Sequence, residues 1–321
     1  MSPSFSIRPL ASEQLDDWLR LRNRSYPWAA DRERFLFSES LRLAGEPVLQ
    51  AGAWTAAGEL AGTAECYVGE DGERWVDRAA GFVTVAAAYR RQGLGARLAD
   101  EVDRFAAGQN VRWLEALLLE HDLSTAEHLL SRRGFSEMER YLQSAQQPAT
   151  VSLASLDNLR AKLTASGIET VAFSWIDSDQ ARRSLYRCAM EVEHDMPHQA
   201  HSQWHDPPFE TWSRNIFEAP RATKDAIFVA RDGSQIVGVS YLVFRGNGEA
   251  EVGDTGVVHS HRRRGIARAL KLMATRYAAE HGIPRVHTDN RSDNAGMLAL
   301  NTELGFRPTE AIVIFEKTLS G

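Results

Sequence analysis

The chain has few cysteines and no long apolar stretch, and these absences exclude several classes of protein. Its two cysteines, Cys66 and Cys188, lie far apart without the spacing of a metal site or a disulfide framework. They are typical of buried thiols in a reducing compartment, so a cytoplasmic protein is expected. No apolar run is long enough to span a membrane. The N-terminus lacks a basic segment followed by an apolar core, which argues against a signal peptide.

A strongly basic composition is also absent. The formal net charge is −6, which argues against a general nucleic-acid binder. Hydrophobic residues make up 43% of the chain and charged residues 25%, as in ordinary soluble globular proteins. The length of 321 residues suggests about two domains. We therefore expect a monomer or homodimer with neither nucleic acid nor a membrane as its partner.

The sequence instead contains one glycine-rich motif twice. Residues 90–95 read RRQGLG, and residues 262–267 read RRRGIA. Each copy follows an apolar, strand-like run and opens a helical pattern of apolar residues. A Gly-Phe pair follows each copy at nearly the same distance, at Gly134 and at Gly305. A duplicated strand, loop and helix with a duplicated downstream marker indicates an internal repeat.

The repeated motif has the properties of an anion site. Glycines after a strand let the backbone approach a ligand closely. The first turn of the following helix offers unpaired N–H groups and the positive end of the helix dipole, for which phosphate is the usual ligand. The flanking arginines add charge-assisted hydrogen bonds. The alternative is an ordinary strand-to-helix turn with surface arginines, and a second copy with matched flanks makes that alternative less favoured.

The pattern Arg-x-x-Gly-x-Gly/Ala between a strand and a helix, followed by Gly-Phe, resembles the GCN5-related N-acetyltransferase (GNAT) family. A P-loop would need Gly-Lys-Ser/Thr, and a Rossmann fingerprint would need another glycine spacing and a regular βαβ series. The resemblance covers both halves and is similar in layout to the two-domain members, of which mycothiol synthase is one. It implies an acyltransferase that binds acetyl-CoA at the loops and acetylates a primary amine of a small molecule.

The order of predicted elements indicates an α+β fold with two tandem GNAT-like domains, each a mostly antiparallel mixed sheet flanked by helices. The most linker-like stretch is residues 146–149, so the expected domains are 1–148 and 149–321. Leucines at helical spacing after this stretch indicate a structured connector. Strands near residues 138–143 and 312–316 are expected to be the last strands of the two halves.

The resemblance places the cofactor at both loops and at asparagines that follow the second loop. Family members contact the pantetheine or phosphate arm where Asn290 and Asn294 lie, although Asn294 could equally cap the next helix. The first half has no asparagine there, so its site is expected to be degenerate and the second domain to be catalytic. The expected cofactor-binding residues are Val83, Val85, Arg90, Arg91, Gln92, Gly93, Leu94, Gly95, Ala96, Val257, Val258, His259, Arg262, Arg263, Arg264, Gly265, Ile266, Ala267, Arg268, Asn290 and Asn294.

Acetyl transfer to an amine needs a proton acceptor and a donor for the acyl oxygen. Glu251 lies where some family members carry a catalytic glutamate, and Ala79 has the same offset from the first loop. An exposed strand carboxylate, Asp254 as the base and a water-mediated base are alternatives. Asn301 replaces the tyrosine acid of many members, and it could bond the sulfur or be satisfied locally. By resemblance, the backbone N–H of Val258 is expected to bind the acyl oxygen.

The acceptor is expected beside the irregular stretch 191–206. Its carboxylates are expected to attract a cationic amine and an aromatic side chain to pack on that amine. Three histidines at 198, 201 and 205 raise the question of a metal, but no carboxylate–histidine signature or matching cysteine supports one, so none is expected. A solvated loop is the alternative for the whole stretch. The expected substrate residues are Glu191, Glu193, Asp195 and Trp204.

Three other functions stay open. A transferase that uses aminoacyl-tRNA is disfavoured by the intact glycine loops and the low basic charge. A non-catalytic acetyl-CoA sensor is compatible with the asparagine in place of the tyrosine. Acetylation of an aminosugar thiol precursor, as by mycothiol synthase, is compatible with the two-domain layout, but no residue in the sequence identifies an aminosugar pocket.

Overall fold

The computed structural model describes residues 4–26, 28–42, 46–68, 77–195 and 205–319. Contacts between residues divide the chain into two compact units. The first comprises residues 1–141, 201–207 and 310–321, and the second comprises residues 142–200 and 208–309. Each is an α+β unit with a mixed sheet and flanking helices, which confirms the predicted fold class. None of the helices within the described ranges is both long and apolar enough to cross a bilayer.

The first unit is a mixed sheet that carries the first glycine loop after its fourth strand. Strands β1 to β4 are antiparallel neighbours, whereas β4 and β5 are parallel. Its elements are β1 (Phe5–Pro9), α1 (Leu15–Arg22), α2 (Arg32–Leu41), β2 (Val48–Thr55), β3 (Leu60–Val68), β4 (Arg78–Val85), α3 (Leu94–Ala107), β5 (Trp113–Leu119) and α4 (Leu123–Arg132). The next strand, β6 (Ser136–Gln146), contributes residues to both units.

Helix α3 forms the core of the first unit with the sheet. Its apolar residues recur every three or four positions, so they lie on one face, and Leu94, Leu98 and Val102 are buried. Helix α1 begins at Leu15, directly after a separate 3-10 turn formed by residues 12–14.

The second unit repeats this plan, and its strands are ordered β11-β10-β9-β8-β7. Its elements are α5 (Leu156–Ala165), β7 (Ile168–Ala172), α6 (Asp179–His194), α7 (Phe209–Phe217), β8 (Ile227–Asp232), β9 (Gln235–Phe244), β10 (Ala250–Val257), α8 (Ile266–Glu280), β11 (Val286–Arg291) and α9 (Ala295–Glu303). Helix α5 is the structured connector that the leucine spacing predicts.

Two glycines let helices approach the second sheet closely from opposite faces. A Cβ on Gly238 of β9 would lie 2.9 Å from Ile266 of α8. A Cβ on Gly256 of β10 would lie 2.1 Å from Val192 of α6. Because side chains alternate along a strand and Gly256 pairs with Val239, these two glycines face opposite sides. Helix α8 therefore covers one face of the strands that carry the second loop, and α6 covers the other.

The last strand of the chain is β12 (Arg307–Thr318). The sequence predicts that it is the last strand of the second half, but this prediction is wrong. From Glu310 onwards its residues belong to the first unit. They pair antiparallel with β5, from Ile312 opposite Leu119 to Thr318 opposite Trp113. Strand pairing between residues this far apart in sequence leaves no local pattern, so the sequence alone cannot specify it.

Candidate active site

The second glycine loop has a backbone shaped for an anion. Arg263 and Gly265 adopt left-handed φ angles of 62° and 83°. The guanidinium of Arg262 folds back, and its Nε donates to the carbonyl of Val257 at 3.0 Å. The hydrogen-bond ladder of α8 starts from the N–H of Ala269, which donates to the Gly265 carbonyl at 3.0 Å. The amides before this bond form the positive end of α8, which is a site for phosphate.

The first glycine loop adopts the same backbone conformation. Arg91 and Gly93 have φ angles of 63° and 79°. Arg90 Nε donates to the Val85 carbonyl at 3.0 Å, as Arg262 does in the second loop. The two loops therefore share conformation and side-chain bonding as well as sequence, which supports a common ancestral function for both.

The arginines of the second loop are held by polar partners. Arg262 Nη2 donates to Asp195 Oδ2 at 2.6 Å, where α6 ends. Arg264 Nη2 donates to the backbone carbonyl and to Oγ of Ser166, both at 3.1 Å. These bonds hold the loop in place against α6 and the residues after α5. The side chain of Arg263 remains exposed.

Strands β10 and β11 stop pairing part-way along β10, before the chain reaches this loop. They run parallel, and their last pair in the described structure joins Glu251 to His287. Beyond it, residues 252–257 and 288–291 continue as strands without pairing to each other. In the first unit, β4 and β5 pair for one further position, where Gly81 lies opposite Ala116. We call the place where the two strands separate the fork. The unpaired backbone N–H and C=O groups on its two sides can hydrogen-bond an extended chain that enters between the strands.

Strand β10 also bulges at the fork. Val252 pairs with Leu242 and Thr255 pairs with Ser240, so β10 has two residues where β9 has one. A bulge bends its strand and redirects side chains, and such bulges are over-represented next to active sites. The bulge moves residues 253–254 out of the regular ladder.

Five polar side chains gather at the fork, and we call them the acidic fork: Tyr241, Arg245, Glu251, Asp254 and Asp289. Arg245 Nη2 donates to Glu251 Oε2 at 2.8 Å. The hydroxyl of Tyr241 donates to Asp254 Oδ2 at 3.0 Å. The Asp289 carboxyl shares a hydrogen bond with that of Glu251. Three carboxyl groups and one guanidinium give the fork a negative charge, which suits a cationic ligand.

The acidic fork contains a carboxyl group that titrates near neutrality. Burial, together with the charge of Glu251 and the hydrogen bond to it, raises the pKa of Asp289 to about 7. The guanidinium of Arg245 opposes this rise, and Asp254 adds to it. Because the carboxyl groups of Asp289 and Glu251 interact, the proton belongs to the pair rather than to either residue. Such a pair can accept and release a proton at neutral pH.

The carboxylate just before β10 has a different partner. Glu249 Oε2 lies 2.8 Å from His287 Nε2. Burial works against ionisation of Glu249, but the bonds to His287 and Asn247 lower its pKa below the ordinary value. Glu249 is therefore a poorer proton acceptor than the carboxyl pair of the acidic fork.

Three asparagines connect the end of β11 with helix α9. Asn294 caps α9, because its Oδ1 accepts from the N–H of Met297 at 3.2 Å. Asn301 is buried, and its Nδ2 donates to Asn290 Oδ1 at 2.6 Å. Within the described residues, Asn301 Oδ1 has no hydrogen-bond partner. This arrangement holds β11 and α9 together and leaves one buried acceptor for a ligand N–H or an ordered water.

Comparison with known proteins identifies the family. The model of the acetyltransferase (GNAT) family matches residues 12–135 and 166–306. The chain belongs to the GNAT acetyltransferase family. It is 26% identical over 269 residues to the mycothiol acetyltransferase of Jonesia denitrificans, which covers 81% of this chain and 78% of the relative.

Solved structures show the same tandem architecture. A tandem GNAT protein from the clavulanic acid biosynthesis pathway superposes with a TM-score of 0.72 at 19% identity, over 99% of each chain. A GNAT protein from Sphaerobacter thermophilus superposes with a TM-score of 0.70 at 18% identity, over 98% of this chain and 95% of that one. At these identities the structures establish the fold, and the prediction of two tandem GNAT domains is confirmed.

Within this GNAT fold, the residues expected to bind the cofactor fall into four places. Val83, Val85 and Val257 lie on the strands before the loops, and Asn290 lies on β11. Ile266 and Leu94 are buried in the cores, so only their backbone amides face the loops. The loop positions are Arg90, Arg91, Gln92, Gly93, Val258, His259, Arg262, Arg263, Arg264 and Gly265, and the helix positions are Leu94, Gly95, Ala96, Ile266, Ala267, Arg268 and, at the cap of α9, Asn294.

The expected donor to the acyl oxygen is already engaged. The N–H of Val258 donates to the carbonyl of Val237 at 3.0 Å, as part of the sheet. The assignment of this N–H therefore needs correction, because an occupied donor would have to break a sheet bond first. The edge of β10 that no longer pairs with β11, over residues 252–257, faces the fork and is a better source of such a donor.

The residues expected to bind the acceptor have other roles where the structure describes them. Glu191 Oε1 accepts from the backbone N–H of His259 at 3.2 Å, and Asp195 binds Arg262, so both hold the glycine loop. Glu193 is buried. Trp204, together with the histidines at 198 and 201, lies outside the described residues. Among the residues that are described, no group of three or more His, Cys, Asp or Glu side chains is arranged to hold a metal ion.

The first unit lacks the acidic fork. Strands β3 and β4 pair without interruption, so β4 has no bulge. Because of the bulge in β10, the position that corresponds to Glu251 is Ala80, and the count from the loop that gives Ala79 is wrong by one residue. Leu117 occupies the position of Asp289. The first unit thus keeps the anion loop without the carboxyl pair.

A buried ion pair occupies the first unit instead. Arg22 Nε donates to Glu65 Oε1 at 2.7 Å, and both side chains are almost fully buried. The hydroxyl of Tyr67 donates to Glu65 Oε2 at 2.7 Å, and the Arg22 guanidinium lies 3.2 Å from the ring centroid of Tyr26. These side chains fill space beside β3 and give this unit a structural polar network.

Breaking this ion pair is expected to destabilise the protein strongly. Glu65→Gln leaves the Arg22 charge buried and uncompensated, which costs about 3–5 kcal/mol. Unfolding by denaturant, followed by circular dichroism, measures the change. The double variant Arg22→Met with Glu65→Leu removes both charges and is expected to recover most of the loss. Equal losses in the single and double variants would contradict this account.

Proposed function

We propose that the second unit transfers an acetyl group from acetyl-CoA to a primary amine of a small molecule. The single observation that carries the proposal is the acidic fork, which places a carboxyl pair on the strands that lead up to a phosphate-shaped glycine loop. The first unit has the loop without the fork, so we assign the reaction to the second unit. We retain domain limits of 1–148 and 149–321 as a working division for this proposal.

The residues of the second loop fit the diphosphate of coenzyme A. The amides at the start of α8 and the exposed Arg263 supply donors and positive charge for it. The open edge of β10 offers backbone groups to an extended pantetheine arm, and the orphaned Asn301 Oδ1 offers a buried acceptor. When bound, acetyl-CoA supplies an activated thioester.

The acceptor enters on the face of the acidic fork. An amine is protonated in water at neutral pH, and three carboxyl groups favour the binding of that ammonium cation. Glu251, with Asp254 as a neighbour, takes the proton that the ammonium must lose before it can attack. The amine nitrogen then forms the new C–N bond as the C–S bond of the thioester breaks. The nitrogen loses its second proton in this step and the leaving thiolate takes up one proton, directly or through solvent, so that an amide with one N–H and a free thiol are formed.

A second candidate acceptor is an aminosugar thiol precursor. It is favoured by the similarity to a protein named mycothiol acetyltransferase, which extends over most of both chains. Both candidates share a primary amine and need the same proton acceptor. They differ in the ring and thiol that the acceptor presents around that amine.

The proposal is tested by measuring the release of coenzyme A from acetyl-CoA with a thiol reagent, in the presence of a panel of amines. The panel contains linear diamines, amino acids and aminosugars, and acetylated products of thiol-bearing acceptors are followed by mass spectrometry. We expect turnover with at least one cationic primary amine and none with the matching alcohol. Binding of acetyl-CoA without turnover for any amine would instead indicate an acetyl-CoA sensor.

A further inference from the structure

Asp289 lies on the strand next to Glu251 and beyond the last pair that joins β10 to β11. Glu251 pairs with His287, and Asp289 follows two residues later, so it points to the same face of the sheet. At this point the strands diverge, and the side chains of Glu251 and Asp289 meet across the widening gap. Their carboxyl groups are hydrogen-bonded to each other.

Two carboxyl groups can form a hydrogen bond to each other only when one of them carries a proton. If both ionise, they repel at short range, and burial strengthens that repulsion. Arg245, bonded to Glu251, and Asp254, bonded to Tyr241, face the pair, and the bonded Glu249 and His287 lie beside it on the same face of the sheet. Within the acidic fork, one cation therefore faces three carboxyl groups, which leaves room for one proton or one cationic ligand.

We propose that Asp289 is a positioning residue that makes Glu251 an acceptor for the amine proton: the two carboxyl groups share one proton when the fork is empty, and a substrate ammonium takes the place of that proton. This proposal rests on the proposed function. The shared proton leaves to solvent as the ammonium binds between the two carboxylates. The ammonium then returns one proton to the pair as its nitrogen forms the C–N bond, and that proton stays shared between the two carboxyl groups until the next ammonium displaces it.

The proposal also specifies the class of acceptor. Only a group that brings both positive charge and a removable proton can replace the shared proton and later restore it. A primary or secondary ammonium meets this condition, whereas a quaternary ammonium binds without reacting. We therefore expect an unreactive tetra-alkylammonium analogue of a good substrate to compete with it at the fork.

The decisive experiment is the dependence of kcat/KM on pH for the wild type and for Asp289→Asn. Because the pKa of Asp289 is about 7 and the proton belongs to the pair, we expect wild-type kcat/KM for the amine to rise to a plateau with a midpoint near pH 7. In Asp289→Asn the like charge is gone, so the midpoint is expected to move to lower pH. Asp293→Asn is the matched control, because Asp293 lies just after β11, is exposed and is bonded to Arg291. The midpoint of its pH profile is expected to equal that of the wild type.

A second measurement does not depend on turnover. A carboxyl group whose pKa is higher in the folded protein than in the unfolded chain destabilises the fold as pH rises from about 4 to about 7. Asp289→Asn is therefore expected to raise Tm above the wild-type value at pH 8, with little difference at pH 4. If Asp289→Asn does not fold, Glu251→Gln is used in its place, since removing Glu251 also removes the repulsion in the pair.

The outcomes separate this inference from the proposed function. If no amine is acetylated but the Tm shift appears, the carboxyl pair exists and the proposed function fails. If amines are acetylated and the midpoint is the same in the wild type and Asp289→Asn, the role of Asp289 is wrong and the proposed function stands. A lower rate at every pH with an unmoved midpoint would show a merely structural contribution and would overturn the proposal.

Discussion

Replacing Glu251 with glutamine is expected to lower kcat by about 10²- to 10⁴-fold, the usual contribution of a positioned general base. Glutamine keeps the size of the side chain and can still bond Arg245, but it cannot accept a proton from the bound amine. Steady-state kinetics with the best amine of the panel measure the change. Calorimetry is expected to show acetyl-CoA binding close to that of the wild type, because Glu251 lies on the fork rather than on the glycine loop.

Glu249→Gln is the matched control for this variant. Glu249 lies two residues earlier, just before β10 begins, and is bonded to His287, so the same chemical change should leave kcat within a few-fold of the wild type. A loss for Glu249→Gln as large as that for Glu251→Gln would contradict the assignment of the base. Unchanged activity in Glu251→Gln would leave Asp254 or a water-mediated base as the proton acceptor.

Replacing Gly265 with glutamate is expected to weaken acetyl-CoA binding at the second unit by about 100-fold or more, which corresponds to roughly 2.7 kcal/mol. Gly265 has a left-handed φ, and a Cβ there would lie 3.0 Å from the side chain of Leu159. The new carboxylate would also repel the diphosphate at the end of α8. Calorimetric titration with acetyl-CoA measures both the affinity and the number of sites.

Gly93→Glu is the control with the same backbone geometry. Gly93 has nearly the same φ, but a Cβ there would meet no neighbouring atom within 4 Å. The loss of turnover is expected to be much larger for Gly265→Glu than for Gly93→Glu, because only the second unit has the acidic fork. The opposite ranking would show that the first unit is the catalytic one. Gly265→Ala separates the backbone strain from the added charge.

The glycine loops could be predicted from the sequence in detail. Their conformation depends on a few adjacent residues, and the left-handed angles at Gly93 and Gly265 follow from the need for glycine at those positions. The duplication added information, since two copies with matched flanks are unlike a chance motif. The α+β plan and the helix at residues 156–165 follow from periodic patterns of similarly short range.

The chemistry of the fork could be predicted only in part. Glu251 stands out because it has a fixed distance from the loop along one strand. Asp289 does not, because its meeting with Glu251 depends on the register between two parallel strands that are separated by helix α8. The bulge in β10 shifts the alignment of the two halves by one residue, and no feature of the sequence predicts this bulge.

The carboxylates of residues 191–195 show a site prediction for which the sequence was insufficient. Because several carboxylates lie together beside a variable segment, the sequence suggests that they attract a cationic substrate. Glu191 and Asp195 instead bond to the loop backbone and to Arg262. Charge composition indicates that a region is acidic, but only geometry shows which acids already have partners.

The pairing of β12 with β5 constrains how the protein is made. The ribosome completes the first 141 residues long before it reaches residue 310, and domains generally fold as they emerge. Until then the edge of β5 that β12 will cover remains open, and an open strand edge is a template for pairing with other chains. The first unit is therefore the earlier one to be synthesised but cannot be finished before the second has been translated.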